Sequence, residues 1–304
     1  MKAVVCARYG PPEVLEIREI ERPTPRSTEV CVRVVATAVT SSDCLVRSGK
    51  VNLALRLPMR LAVGLRAPRR PLGMVLAGEV ASVGEGVSAF KTGEPVFGFD
   101  RFGFGAYAEF KCLSERGLLA SKPSTVSYEE AAAIPYGGLL ALHYLKRGAI
   151  EDGQAVLVYG ASGAVGTSAV QLARHFGARV TGVCSSANLA LVASLGAETV
   201  IDYTREDFLA RGERYDLIFD AVPAAHRTLN LRGKGGLTPG GTYVSVTDGS
   251  PTLSLAELTL LRELTEAGRL RPVIDRTYPL DQIVEAHRYV DTGHKKGNVV
   301  VTVR

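Results

Sequence analysis

A chain of 304 residues that is 46% apolar and 22% charged has the make-up of a globular protein and the length for two hydrophobic cores. No apolar run is long enough to span a bilayer. Five cysteines (Cys6, Cys31, Cys44, Cys112 and Cys184) stand singly, without a CxxC or a Cys/His cluster, which excludes a disulfide framework and a zinc knuckle. Much of the net charge of +5 sits in "LRLPMRLAVGLRAPRRP", Leu55 to Pro71. That segment has no aromatic residue to stack on a base, so a solvated basic face is favoured over a nucleic-acid site.

The opening "MKAVVCARYGPPEVLEI" reads as a strand and a turn, without the apolar stretch of a signal peptide. A cytoplasmic protein is the expectation. The segments "KAVVCARYG", "VLEIREI", "EVCVRVVATAVT", "GMVLAGEVASVGEGV", "EPVFGFD" and "GAYAEFKCL" carry β-branched alternation cut by glycine and proline. They predict short strands of a barrel-like or sandwich domain. The texture changes at "SYEEAAAIPYGGLLALHYLKRG", which is helical and interrupted at Pro135. Strands "QAVLVYG", "ARVTGVC", "TVIDY", "DLIFDAV" and "GTYVSV" then alternate with helices "AVGTSAVQLARHFG", "NLALVASLG" and "REDFLARGE". A less regular piece, "AAHRTLNLRGKG", precedes the last strand. Such alternation predicts an α/β fold with a Rossmann-type doubly wound parallel sheet. The closing "LAELTLLRELTEAGRL", "YPLDQIVEAHRYVDTGH" and "GNVVVTV" do not extend the series and could return to the first domain.

The turn Gly160-Ala161-Ser162-Gly163-Ala164-Val165-Gly166 follows a strand directly and opens a helix. Unpaired N–H groups and a partial positive charge at that helix start suit a pyrophosphate. Gly163 lets phosphates approach the backbone, and Gly166 lets the helix pack on the strand. Ala161 takes the place of a first glycine.

An NAD site carries an acid about twenty residues on, to bond the ribose 2′-hydroxyl. Here "GVCSSAN" offers Ser185, Ser186 and Asn188. Without a carboxylate to repel a 2′-phosphate, NADPH is favoured, with NADH as the alternative. Tyr203 adds a phenol or an adenine platform. Val222, Val244, Ser245 and Val246 end later strands and are expected to border the ribose and nicotinamide; Asn298 is counted with the same set. The only Tyr-x-x-x-Lys pair, Tyr107 to Lys111, precedes the glycine turn on a predicted strand, which argues against a short-chain reductase. The acid that a methyltransferase uses for its adenosyl ribose is missing.

These segments together resemble the medium-chain dehydrogenase/reductase superfamily, in its zinc-independent, quinone-oxidoreductase-like branch. The resemblance rests on "LAGEVASVGEGVSAFKTGEPVFGF", "GAYAEF", "AAAIPYGGLLAL", "GASGAVGTSAVQLARHFGARVTGVCSSAN", "LGAETVIDY", "YDLIFDAV" and the ending from "AGRLRPVIDRTYPLDQIVEAHRYV". It implies a GroES-like substrate domain built from both chain ends, 1–122 completed by 252–304, around a nucleotide domain at 123–251, and hydride transfer from NADPH to a quinone or an α,β-unsaturated carbonyl. The active cleft would lie between the domains. Zinc-dependent relatives hold a catalytic metal with a Cys and a His; the corresponding positions here are Thr40 and Met74, so no metal is expected. Leu140 stands where relatives carry a threonine, and Ala187 where the serine loop often carries a basic residue. Val246 to Leu253 is too short for the further strand and helix of relatives. The sheet is therefore expected to lack its sixth strand, and a homodimer paired through that strand is disfavoured.

Thr40, Asp43 and Tyr136 are the candidate catalytic residues, with Phe99 lining the cleft. Hydroxyls on Thr40 or Tyr136, or a water, would stabilise charge on the acceptor oxygen. The competing readings are an NADPH-binding redox sensor, a basic-patch nucleic-acid binder and, more distantly, an NAD(P)-dependent alcohol dehydrogenase. No membrane contact is expected, and no histidine is given a role.

Overall fold

The computed structural model describes residues 1–50, 53–222 and 234–303. In chain order the first part holds strands β1 (Lys2–Cys6), β2 (Leu15–Glu19) and β3 (Glu29–Val39), then helices α1 (Ser41–Ser48) and α2 (Leu53–Val63). Strands β4 (Val75–Val83), β5 (Pro95–Phe99), β6 (Phe110–Ser114) and β7 (Leu118–Ser121) and helix α3 (Tyr128–Ala132) follow. Next come α4 (Pro135–Arg147), β8 (Ala155–Tyr159), α5 (Ala164–His175), β9 (Arg179–Cys184), α6 (Leu189–Ser194), β10 (Thr199–Asp202), β11 (Tyr215–Asp220), β12 (Leu237–Ser245) and α7 (Leu255–Glu266). The chain ends with β13 (Ile274–Pro279), α8 (Ile283–Asp291) and β14 (Asn298–Thr302).

Two compact units emerge: Met1–Pro135 with Ile274–Arg304, and Tyr136–Val273. By compactness α3 belongs with the first unit and α7 with the second.

The first unit is built on β3, eleven residues rich in valine, which pairs antiparallel with β4, β6 and β14. The sheet order is β13-β14-β3-β4-β5-β7, with β6 also on β3, and a separate β1-β2 ladder. Val30, Val32 and Val34 alternate along β3 and are fully buried with Leu76 and Val96, each contributing about 1.5–3 kcal/mol by leaving water. Two strands escaped the sequence pattern. β7 is only four residues long, too short to show a period, and β13 is half exposed and carries no apolar run. The "YPLDQIVEAHRYVDTGH" segment accordingly splits into the end of β13, a short 3-10 turn and α8.

The second unit is a five-stranded parallel sheet, β10-β9-β8-β11-β12. Its carboxyl ends are flush, since Tyr159 pairs with Val183 and Asp220, Cys184 with Asp202, and Asp220 with Ser245. Loops leaving these ends therefore meet at one edge, where the strand order reverses between β8 and β11. "REDFLARGE" makes only a 3-10 turn, Phe208–Arg211, which Asp207 caps and Gly212 stops at φ +69°. After β12 the chain turns at Asp248 and Gly249 and reaches the α7 cap at Ser254. Among the described residues no sixth strand joins the sheet. Most of "AAHRTLNLRGKG", residues 224–233 with His226, lies outside the described residues.

Candidate functional site

Three glycines of the α5 turn do different jobs. Gly160 sits at φ +76°, and a Cβ there would fall 2.3 Å from a Val222 methyl. At Gly166 a Cβ would fall 2.1 Å from the Gly160 carbonyl oxygen, so the helix packs against its own turn only as glycine. Gly163 differs, because a Cβ there would meet nothing nearer than the Gly160 oxygen at 3.6 Å, an ordinary contact. The protein itself has room for a side chain at this point. Gly163 is the N-cap of α5, no side chain caps the helix, and its first turn holds no acid. The amides of Ala164, Val165 and Gly166 have no intrahelical acceptor at such a start. An anion set against Gly163 would meet open amides and the positive end of a 12-residue helix. Ala161 is fully buried, and its amide and that of Gly160 both donate to the Val183 carbonyl at 3.0 Å.

Asn188 joins this turn to the serine loop. Its Nδ2 donates to Ser162 Oγ at 3.0 Å and to Ser185 Oγ at 3.3 Å, while its own amide donates to the Ser185 carbonyl. Asn188 is 7% exposed, and its Oδ1 is buried without a partner. Each serine oxygen thus spends a lone pair on Asn188. Neither hydroxyl donates to another described residue, so both protons are free for an incoming acceptor.

Ser186 behaves otherwise, and here the sequence reading missed a residue. Its hydroxyl donates to Asp202 Oδ2, and Asp202 Oδ1 accepts from the Thr204 amide at 3.0 Å and hydroxyl at 2.7 Å. The neighbourhood of the serine loop therefore contains a carboxylate, contributed by the next strand. Hydrogen bonds from Ser186 and Thr204 hold it below the usual aspartate range. Tyr203, beside it, is half exposed, with its ring 6.3 Å from that of Tyr159.

At the other strand ends, Asp220 accepts from the Val222 amide at 3.0 Å and from the Tyr243 hydroxyl at 2.8 Å. Val244 and Ser245 are buried, and the Val246 carbonyl accepts from the Tyr144 hydroxyl. Tyr136, 8% exposed, occupies the first turn of α4 in this second unit.

The first unit brings Thr40 and Asp43 together as a capping box for α1. Asp43 Oδ2 accepts from the Thr40 hydroxyl at 2.6 Å and its amide at 3.0 Å, and Oδ1 accepts from the Gly73 amide at 3.2 Å. The Thr40 oxygen in turn accepts from the Asp43 amide. Complete burial pushes Asp43 up to about 6, against the pull of these donors. While Asp43 is ionised the Thr40 proton is committed to it. The β14–β3 register sets Val299 opposite Val39, which puts Asn298, 5% exposed, at the Thr40 end of β3. Phe99, at the end of β5, pairs with Val75 on β4 and is 4% exposed.

Because Gly73 bonds Asp43, the positions of the family's metal-binding Cys and His are neighbours here, as Thr40 and Met74. Their donors are a hydroxyl and a thioether, and the adjacent carboxylate has both oxygens engaged. This set does not fit zinc.

An open phosphate turn at the switch edge of a Rossmann-type sheet, on a chain whose two ends share a mostly β unit, defines a nucleotide-dependent dehydrogenase or reductase. The family model for the alcohol dehydrogenase GroES-like domain matches residues 26–124, and that for zinc-binding dehydrogenases matches residues 195–301. A 2-methylene-furan-3-one reductase of Solanum lycopersicum is 32% identical over 321 residues, covering 99% of this chain and 79% of that protein. A chloroplastic NADPH-dependent alkenal/one oxidoreductase of Arabidopsis thaliana shows the same identity and coverage, 32%, 99% and 79%. The solved quinone oxidoreductase from Coxiella burnetii superposes with a TM-score of 0.90 at 29% identity, covering 100% of this chain and 99% of that one. The chain belongs to the medium-chain dehydrogenase/reductase superfamily, in its quinone-oxidoreductase-like branch.

Proposed function

We propose that the protein is an NADPH-dependent reductase that transfers hydride to a quinone or an α,β-unsaturated carbonyl without a metal ion. The observation that carries this reading is the uncapped α5 start at Gly163, flanked by two serine hydroxyls whose protons have no acceptor. The Ala164 to Gly166 amides and Ser162 would hold the pyrophosphate. Ser185 would donate to the 2′-phosphate, and Tyr203 would cover the adenine. Ser186 takes the supporting part of keeping Asp202 occupied, so that its charge is spent on three donors rather than turned toward the phosphate. NADPH-dependence in the name of the Arabidopsis relative supports the phosphorylated coenzyme. Five free cysteines support a reducing compartment such as the cytoplasm.

Bound NADPH supplies a hydride to an electron-poor carbon. What the chain must add is proximity and a dry wall more than a strong acid. With its hydroxyl donating to Asp43, Thr40 serves as a helix cap, and the acceptor oxygen would take its hydrogen bond from Tyr136 or from a water. An alcohol dehydrogenase reading is weaker, because Thr40 and Met74 cannot hold the Lewis acid that alcohol oxidation uses in zinc relatives.

The test mixes the protein with NADPH and a panel of 2-alkenals, enones and quinones, with and without a chelator. Acceptor-dependent loss of NADPH absorbance, unchanged by chelation, is expected. Cofactor binding with no turnover across the panel would support the sensor reading instead.

A further inference from the structure

The sequence separates Cys31 and Cys112 by most of the first domain, yet the fold sets them face to face. In the β3–β6 ladder Cys31 pairs directly with Cys112. Opposed residues of an antiparallel pair point to the same side, with Cα atoms about 4.5–5.5 Å apart. That spacing falls inside the window a disulfide accepts, roughly 4.4–6.8 Å. Both sulfurs lie 3.8 Å from one atom, the Pro23 carbonyl oxygen. On its other side β3 changes register with β4 between Cys31 and Val32, an irregularity that gives this part of the strand room to adjust. Both thiols are free.

The surroundings favour reaction. Cys31 is fully buried, whereas Cys112 is half-buried and within reach of solvent. Arg22 lies alongside, its guanidinium 3.8 Å from the centre of the Phe110 ring on β6. The neighbouring Cys112 thiol pulls Cys31 below the ordinary thiol range, against its burial, with the Arg22 charge adding, and Cys112 is raised in return. A thiol lowered in this way by its neighbour is the one of the pair that ionises more readily.

We infer that Cys31 and Cys112 form a redox-active cross-strand dithiol, a modification site that a hydroperoxide converts to a disulfide. The thiolate sulfur attacks the O–O bond, takes the terminal OH to become a sulfenic acid, and releases an alkoxide that collects a proton. The second thiol then attacks the sulfenic sulfur, the S–S bond forms, and water leaves. Two thiols lose two electrons, and the hydroperoxide is reduced to an alcohol and water. An external dithiol reverses the change by exchange. The site is independent of the proposed hydride chemistry.

The experiment exposes the reduced full-length protein to limiting hydrogen peroxide, blocks remaining thiols with iodoacetamide, and digests with trypsin without reductant. Cleavage after Arg26, Arg33, Lys111 and Arg116 releases Ser27–Arg33 and Cys112–Arg116. The expected result is these two fragments joined, with a loss of two titratable thiols that dithiothreitol restores. In Cys31→Ser and in Cys112→Ser the joined mass disappears and the remaining sulfur is trapped by dimedone as a sulfenic acid. The inference is overturned if both fragments stay alkylated while other cysteines oxidise, or if each cysteine oxidises separately to a sulfinic acid. The wild-type measurement decides the matter even where a variant fails to fold.

Discussion

Asn188 contacts no catalytic residue, yet it governs two hydroxyls that face the open turn. Replacing it with leucine, of similar size and without a donor, frees Ser162 and Ser185 to turn their protons elsewhere. Asn188→Leu is expected to weaken NADPH binding roughly tenfold, the worth of one to two hydrogen bonds. In a Ser185→Ala background most of its effect on the NADPH-to-NADH ratio should vanish, which a double-mutant cycle by fluorescence titration checks. Full additivity would remove Asn188 from its orienting role. Asp43 is a case where polarity within one side chain matters. Its two oxygens face three donors, so whichever way the amide turns, Asp43→Asn sets an N–H against another donor. A loss of about 1–3 kcal/mol in urea unfolding at neutral pH is expected. At this scale the sequence was only half legible. Ser185 and the glycine turn stand out because their spacing from a strand is local. Asp202 does not, because it reaches Ser186 only after the β9–β10 pairing forms, and Thr40 reads as a free hydroxyl until its proton is seen on Asp43.

Among the elements, the α5 turn separates what the fold needs from what a ligand needs. Gly163→Ala places a methyl in ordinary contact and should leave the melting temperature nearly unchanged, while an added carbon between the phosphates and the open amides cuts coenzyme affinity at least about tenfold. Gly166→Ala drives a carbon into the Gly160 carbonyl and should lose soluble folded protein altogether. Thermal melts paired with NADPH titration check both, and equal damage to stability in the two variants would mean that Gly163 serves packing alone. The inner strands of the parallel sheet were plain in the sequence because their centres are covered on both faces, so Val156 to Val158 on β8 and Leu217 to Phe219 on β11 form unbroken apolar runs. β7 and β13 were not, since a four-residue strand and a half-exposed one carry no period. The pairing of Cys31 with Cys112 is invisible for a related reason: ladder register is a property of the folded sheet, not of spacing along the chain.

Taken whole, the molecule keeps a buried basic cluster that no local pattern announces. Arg47, 2% exposed, donates to Asp291 at 2.6 Å, to His287 Nδ1 at 3.2 Å and to the Gly10 carbonyl at 3.2 Å. Burial, helped by the Arg47 charge, pushes His287 down to about 3. The unfolded chain therefore binds a proton between about 6.5 and 3 that the folded protein refuses, so this contribution is complete above the ordinary histidine value and is lost as pH falls toward 3. Asp43 acts oppositely: the folded state holds its proton up to about 6, and that contribution is lost as pH rises from 3.8 through 6. His287→Gln, which keeps an acceptor for Arg47, removes the contribution that rises with pH and leaves the falling Asp43 one unopposed, so the slope of stability against pH between pH 4 and 6 should drop by up to about 1.4 kcal/mol per pH unit in denaturant midpoints. An unchanged profile would show that His287 is not neutral in the fold. The alternating middle was legible in the sequence, whereas the closing helices and strand showed only that they do not extend it, because which unit a segment packs on is a property of the folded chain. Calorimetric titration of coenzyme-stripped protein with NADPH and with NADH is the most direct test of the open α5 turn: saturable binding of both, tighter for NADPH, is expected, and heat from neither would contradict it.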